Sequence, residues 1–232
     1  GEANEGVIDN LIQRDTITKL PMINSSSLKG ALREHINPID NQLTQYIFGS
    51  EAKDNTKREA GTYRFFDAHL LAIPVRSDKS LYLMATCPAV LREYCNTIKA
   101  FGLELSEKEK QLYSFTTSVP CVISEEYNKA RIEDLDILAK YNAKLQILSS
   151  FIGKNCVLLP DKDFETLCNN NHLPVIARNY LDNGESKNLW YEQVLPRFSI
   201  LYFPLLTPDN DNHFQKFISN LTSSLVQIGA NA

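Results

Sequence analysis

The sequence predicts an α+β fold with a ferredoxin-like or RRM-like core, helical insertions and a projecting β-hairpin. Three observations carry that expectation. A strand-helix-strand-strand-helix rhythm runs from Leu20 to Phe101, it returns loosely later, and one stretch near the C-terminal third alternates on both sides of a turn sequence.

Gly1 to Asn10 is polar and loop-like, and Gln13 to Lys19 reads as irregular. Leu20, Met22 and Ile23 then make a short apolar strand, Asn24 and three serines supply good N-cap residues, and Leu28, Ala31, Leu32, Ile36 and Ile39 recur at helical spacing. With Ser26 or Ser27 as the cap, Lys29 falls in the first helical turn, where the macrodipole already presents positive partial charge. A bound anion would resolve that conflict. Backbone N–H groups, serine hydroxyls and Lys29 would cradle a phosphate, and Arg33 would extend the basic face by a turn. Gly30, which costs about 1 kcal/mol relative to alanine in a helix, would admit a close backbone. An ordinary capped helix with solvated Lys29 and Arg33 accounts for the same residues.

A second helix, Asn41 to Phe48, ends at Gly49. Glu51 to Gly61 mixes Lys53, Lys57 and Arg58 with Glu51, Asp54 and Glu59, the pattern of an exposed, mobile loop. Tyr63 to Val75 and Leu81 to Thr86 are strand-like, and Pro88 suits the first turn of a helix carrying Leu91, Cys95, Ile98 and Phe101 on one face. Residues 105–172 read as an insertion. It holds helical stretches at Ser106 to Leu112 and Leu135 to Phe151, short strands at Val119 to Ser124 and Cys156 to Pro160, and a helix capped by Asp161. Residues 173–194 read as a projecting hairpin. Val175, Ala177, Asn179 and Leu181 alternate with Ile176, Arg178 and Tyr180, Asp182-Asn183-Gly184 makes the turn, and Leu189-Trp190-Tyr191-Glu192 starts the return strand. Phe198 to Leu206 closes as a strand and Asn212 to Val226 as a helix with Phe214, Phe217, Ile218, Leu221 and Leu225 inward. The whole, residues 1–232, reads as a single domain.

Composition narrows the function classes. With 43% hydrophobic and 22% charged residues the chain can bury a sizeable core, while its net charge of −4 argues against a broad nucleic-acid-binding surface. Any RNA site must be a local basic strip. Five scattered cysteines without a Cys-x-x-Cys pair disfavour a zinc site or a disulfide framework and suit small buried hydrophobes in a reducing cytoplasm. Neither a signal peptide nor an apolar run of membrane-spanning length is present. His35, His69, His172 and His213 show no ligand spacing. Taken alone, Asp9 is a turn residue, Glu192 a surface strand charge, Trp190 a core aromatic, Gln13 and Arg14 a solvated strand edge, and Arg76 a partly buried structural arginine.

The run Gly6-Val7-Ile8-Asp9-Asn10-Leu11-Ile12-Gln13-Arg14, then Leu20-Pro21-Met22-Ile23 and Ser26-Ser27-Leu28-Lys29-Gly30-Ala31-Leu32-Arg33, resembles the RAMP superfamily of CRISPR defence. It looks most like the repeated backbone subunit of type III-B effector complexes, the fourth Cmr subunit. Further matches follow in order at Ile47-Phe48-Gly49, Phe66-Asp67-Ala68, Ile73-Pro74-Val75-Arg76-Ser77, Thr86-Cys87-Pro88, Leu189-Trp190-Tyr191-Glu192 and Gln227-Ile228-Gly229. The resemblance implies a RAMP core whose hairpin acts as a thumb wedged into a guide–target duplex, with Arg178 and Trp190 as faces for a splayed nucleotide. It implies binding of CRISPR guide RNA in multiple copies, capture of complementary target RNA, assembly with further copies of the chain and with other subunits of the complex, and cleavage of the target at regular intervals in the cytoplasm. Asp9 matches the family's catalytic aspartate, which would activate the 2′-hydroxyl or hold a divalent cation, Mg2+ or Mn2+. Glu192 matches a second contributor, although the tyrosine found two positions later in some relatives is Val194 here. Gln13, Arg14, Ser26, Ser27, Lys29, Gly30, Arg33 and Arg76 are the expected guide contacts. The family's opening strand and His-containing loop have no counterpart, so further terminal residues are expected. Two rival readings stand beside this one: a non-catalytic guide-binding scaffold of the same fold, and a RAMP endonuclease that processes precursor guide RNA with histidine chemistry. The lack of a well-placed histidine and the Asp9 match weigh against the latter.

Overall fold

A computed structural model describes residues 8–50, 59–182 and 185–228 of the chain. The charged loop expected from Glu51 and the Asn183-Gly184 turn pair fall largely outside the described residues, as do Gly6, Val7 and Gly229 of the motif matches. In chain order the elements are β1 (Met22–Ile23), α1 (Ser25–Ile36), α2 (Asn41–Phe48), β2 (Arg64–Phe65), β3 (Ala68–Val75), β4 (Leu83–Thr86), α3 (Pro88–Ala100), α4 (Glu107–Ser114), β5 (Cys121–Val122), β6 (Lys140–Tyr141), α5 (Ser149–Ile152), β7 (Cys156–Leu158), α6 (Asp161–Leu167), β8 (Val175–Asp182), β9 (Glu185–Gln193), β10 (Ile200–Tyr202), β11 (Leu205–Leu206) and α7 (Phe214–Thr222). They divide into two compact units: Gly1–Pro21 with Leu70–Tyr202, and Met22–His69 with Phe203–Ala232.

The first unit is built on a mixed sheet in the order β3-β4-β7-β5-β6, with β10 added to β3. β4 runs antiparallel to β3, with Ile73 opposite Ala85, and parallel to β7, with Ala85 opposite Val157. All four β4 residues are buried, which fits an uninterrupted apolar run covered on both faces. Thr86 is the polar exception, and its hydroxyl donates to Leu71 O at 2.8 Å. The core gathers Leu83, Val157 and Leu158 from the sheet with Leu91 of α3, Leu112 of α4 and Phe164 of α6. Residues 105–172 supply β5, β6 and β7, so the stretch read as an insertion contributes three strands of this sheet. All five cysteines are buried free thiols, and burial pushes Cys156 and Cys168 up to about 12.

Several expected elements differ. Leu135 to Phe151 is broken into β6, a 3-10 turn over Ala143–Leu148 and the short α5; the Asn142 side chain accepts the Lys144 N–H, and Leu138 and Tyr141 face solvent. Phe198 to Leu206 is two strands, β10 on β3 and β11 on β2, with Phe198 itself at φ +74°. Asp161 is the first residue of α6, and it caps another helix. The N-cap of α3, Cys87, makes no side-chain bond, whereas Asp161 Oδ1 accepts the Ala89 N–H at 2.7 Å and Oδ2 lies 3.2 Å from Arg92 Nη2. α3 begins with Pro88 and has no acid in its first turn, so the carboxylate that satisfies its N–H and dipole comes from α6.

The second unit packs α1, α2 and α7 around buried Leu28, Leu32, Ile36, Leu43, Ile47, Phe48, Tyr63 and Phe217. Phe48 stacks on Phe65 with ring centroids 5.2 Å apart, and Tyr63 meets Phe217 edge-on at 5.6 Å. β1 pairs with the first two residues of β3, and β2 with β11. Asp40 caps α2 by accepting the Leu43 N–H and also pairs with Lys216 of α7. Gly49 ends α2 at φ +93°, where a Cβ would stand 2.4 Å from Glu59 O. α7 is shorter than expected: Leu225 lies beyond it, 97% exposed, and Ile218 on the helix is exposed too.

Because Asp161 is the side-chain cap of α3, Asp161→Ala should lower stability by about 1–2 kcal/mol, read as a lower denaturant midpoint at unchanged m value. Asp161→Asn should retain more than half of that contribution. An alanine variant as stable as the parent would remove the cap from the account.

Candidate functional site

Asp9 and Glu192, separated by most of the sequence, meet in the first unit. The segment carrying Asp9 lies along β9: the N–H groups of Asp9 and Asn10 both donate to Tyr191 O, at 3.0 and 3.1 Å, and Gln193 N–H donates to Asn10 O at 2.8 Å. Asn10 forms a parallel bridge with Glu192. The Tyr191 N–H in turn donates to Asp9 Oδ2 at 2.8 Å. Asp9 remains exposed, and among the described residues its Oδ1 has no hydrogen-bond partner.

β8 and β9 pair antiparallel, with Ile176 opposite Glu192 and Arg178 opposite Trp190. Side chains alternate along a strand, so Trp190 and Glu192 share a face. The indole Nε1–H donates to Glu192 Oε1 at 2.7 Å, Asn10 Nδ2 donates to the same oxygen at 3.4 Å, and Arg178 Nε lies 3.3 Å from Oε2. Glu192 is only 8% exposed. Its carboxyl is held below the usual range, first by the Trp190 N–H and then by the Arg178 charge and the Asn10 amide, against the opposing effect of burial. Trp190 is half-buried and spends its polar atom on Glu192. Val194, in place of the tyrosine of some relatives, is half-buried and donates its N–H to Pro174 O.

The expected guide contacts fall into three groups. In the first unit Gln13 is exposed, but Arg14 is committed internally: its Nε donates to Asn170 Oδ1 at 2.8 Å and its Nη1 to Lys19 O and Cys168 O at 2.8 and 2.7 Å. Arg14 therefore closes the Asp15–Leu20 turn onto the end of α6, and burial lowers its pKa. A phosphate at Arg14 has these acceptors to compete with. Arg76 is 75% exposed at its side chain but already engaged, with Nε 2.6 Å from Glu133 Oε2 and Nη2 3.6 Å from Asp134 Oδ2. It borders a cavity of about 560 Å³ whose walls include Tyr82, Leu135, His172 and Pro174. A phosphate at Arg76 has two carboxylates to displace.

The remaining contacts lie in the second unit, on α1. Its N-cap is Asn24, so Ser25, Ser26 and Ser27 are the first three helical residues and Lys29 sits in the second turn, one turn later than a Ser26 or Ser27 cap would put it. The cap shifts because Asp67 Oδ1 takes the Ser25 N–H at 2.6 Å. That carboxylate also supplies negative charge at the helix start, which an anion would otherwise have supplied. Ser26 and Ser27 remain exposed at positions whose N–H groups have no intrahelical acceptor, while Lys29 and Arg33 are half-buried. No described atom stands within 4 Å of where a Cβ of Gly30 would sit, so packing within the chain does not demand glycine there.

Sequence reasoning missed Asn10, Tyr191 and Gln193; Tyr191 and Gln193 hold the Asp9 segment through backbone groups, and Asn10 through its backbone and its side-chain amide. Their only signal was adjacency to Asp9 and Glu192. Among the described residues no group of three His, Cys, Asp or Glu side chains converges as a metal cluster, and no helix is long and apolar enough to cross a membrane.

The family model of the RAMP superfamily matches residues 1–232, and the chain belongs to that superfamily. Within it, the chain is similar to the CRISPR system Cmr endoribonuclease Cmr4 of Pyrococcus furiosus, with 28% identity across 97% of this chain and 84% of that protein. The crystal structure of oligomeric Cmr4 from Pyrococcus furiosus superposes with a TM-score of 0.70 at 24% identity, covering 97% of this chain and 87% of the other. A chain in the cryo-EM structure of the type III-B Cmr-beta bound to cognate target RNA reaches 0.75 at 23% identity, covering 100% and 87%. Both share the fold described above.

The depressed Glu192 pKa makes the docking of Asp9 and Asn10 pH-dependent. Stabilisation by an ionised carboxylate is complete above its unfolded pKa, near 4.5, and disappears as pH falls through the lower folded value. Exchange protection of the Asn10 and Gln193 amides, corrected for intrinsic rates, should hold above pH 4.5 and decline below it. Constant protection into strong acid would exclude Glu192's charge as its source.

Proposed function

We propose that the chain is a backbone subunit of a type III-B CRISPR effector complex, an endoribonuclease that binds guide RNA in multiple copies and cleaves complementary target RNA at regular intervals. The observation that carries the reading is an exposed carboxylate, Asp9, pinned on β9 by the Tyr191 N–H beside a buried second carboxylate. The similarity to a Cmr4 endoribonuclease over nearly the whole chain supports it. In this role the subunit works in the cytoplasm with guide RNA, target RNA, further copies of itself and other subunits of the complex.

Asp9 is the catalytic carboxylate, and Glu192 contributes from β9. A carboxylate oxygen at Asp9 can take the proton of a 2′-hydroxyl as it attacks the adjacent phosphorus. The donor set also fits a hard divalent cation such as Mg2+ or Mn2+ through Asp9 Oδ1, since Mg2+ is commonly held by one or two carboxylates with substrate phosphates completing its shell. Bound there, the cation would neutralise charge developing on the phosphate. Ser26, Ser27, Lys29, Gly30 and Arg33 contact guide phosphates along α1, Gln13, Arg14 and Arg76 add contacts in the first unit, and Arg178 and Trp190 present the base of the hairpin to the duplex.

Two substitutions test the reading. In complexes reconstituted with guide RNA, Asp9→Ala should slow target cleavage by about 100-fold or more while guide loading and target capture persist. Undiminished cutting moves the chemistry elsewhere. Gly30→Ala meets no neighbouring atom, so it should raise stability by about 0.5–1 kcal/mol, yet weaken guide binding if RNA backbone lies against that surface. Unchanged affinity would remove Gly30 from the contact.

A further inference from the structure

We infer that Glu192 is a positioning residue held by Trp190, acting on cleavage through Asn10 and the Asp9 segment and touching neither RNA nor a metal ion. The inference rests on the reading of Asp9 as the cutting carboxylate.

Glu192 has little left to offer a substrate. It is 8% exposed, its Oε1 accepts from Trp190 Nε1 and Asn10 Nδ2, and its Oε2 faces Arg178 Nε. A general base needs an accessible lone pair within hydrogen-bond reach of the proton it removes, and a metal ligand needs an oxygen free to bind. Asp9 meets that requirement and Glu192 does not.

The Asp9 segment, by contrast, depends on β9. Residues 11–13 after it belong to no helix or strand, and every bond described above that fixes Asp9 and Asn10 ends on residues 191–193. Backbone pairing alone sets the height of the segment along the strand. Besides the Asp9 carboxylate on the Tyr191 N–H, the side chain that ties the segment to β9 is the Asn10 amide, and the atom it reaches is Glu192 Oε1. Trp190 fixes that oxygen from two residues away on the same face, and Arg178, directly across the ladder, answers the charge on the other oxygen. Loss of any of the three lets Asn10, and with it the adjacent carboxylate, drift; misplacement of a reacting group by about 1 Å can cost 100-fold in rate.

The test uses the reconstituted complex with guide RNA and labelled complementary target, reading single-turnover cleavage separately from target affinity. Glu192→Ala and Asn10→Ala should each slow cleavage by roughly 10-fold at unchanged target affinity, and the double variant should be no slower than the worse single, because both break one connection. Trp190→Phe, which keeps an aromatic ring but removes the donor, should slow cleavage in the same way. Glu192→Gln should recover to within about threefold of the native rate, since one amide oxygen can still accept from both Trp190 and Asn10. Glu192 effects that multiply with those of Asn10, or a Gln variant as slow as Ala beside a fully active Trp190→Phe, would place Glu192 in direct contact with RNA or metal and overturn the inference. Should Glu192→Ala fail to assemble, the Gln and Phe variants still decide between the two outcomes. An Asp9→Ala complex that cuts at the native rate sinks the functional reading itself, which none of the Glu192 outcomes does.

Discussion

Tyr191 is the point on which the candidate active site hangs. Its carbonyl accepts two N–H groups from Asp9 and Asn10, and its own N–H returns a bond to the Asp9 carboxylate, so the two backbone groups of one residue hold that segment against β9. Hydrogen bonds to a charged acceptor are worth more than neutral ones, about 1.5–3 kcal/mol each. The arrangement gives an exposed carboxylate an address without burying it. Everything else at the site serves that geometry: the pairing of β8 with β9 fixes where Tyr191 stands, and Trp190 and Arg178 occupy the neighbouring positions that face Glu192.

The division of labour between the two carboxylates follows from solvent rather than from residue type. Asp9 faces water and can change partners, whereas Glu192 is enclosed by donors that stabilise its ionised form. The same contrast separates the arginines. Arg14 and Arg76 are both charged, yet one gives its Nε and Nη1 to acceptors of the chain itself and the other lies between two carboxylates. On a chain of net charge −4, such prior commitments narrow the set of cations that can meet a phosphate.

Patterns that act over a few residues were legible in the sequence. Pro88 starts α3, Gly49 ends α2, the helical stretch from Ser106 becomes α4, and the alternation of 175–181 becomes a strand with its return partner where expected. Patterns that depend on a distant partner were not. Nothing near Ser26 shows that Asp67 will take the Ser25 N–H and move the cap to Asn24, and nothing near Cys87 shows that Asp161 will cap its helix. The spacing of Leu138, Tyr141, Leu145 and Leu148 imitates a helix, but parallel pairing of β6 with β5 claims the middle of that run. The chemistry at Asp9 was read from family resemblance, and the bonds that orient it span more than 180 positions, beyond the reach of any local motif.

One irregularity in the hairpin separates its base from its tip. The register of β8 on β9 shifts between Tyr180 and Leu181, on the turn side of the Arg178–Trp190 and Ile176–Glu192 pairs. A strand that slips by one residue turns every side chain to the opposite face, so a length change transmitted to the base would separate Trp190 from Glu192. The bulge absorbs such changes before they arrive. The tip can therefore gain or lose residues and change what it meets, while the base keeps its side-chain alternation intact.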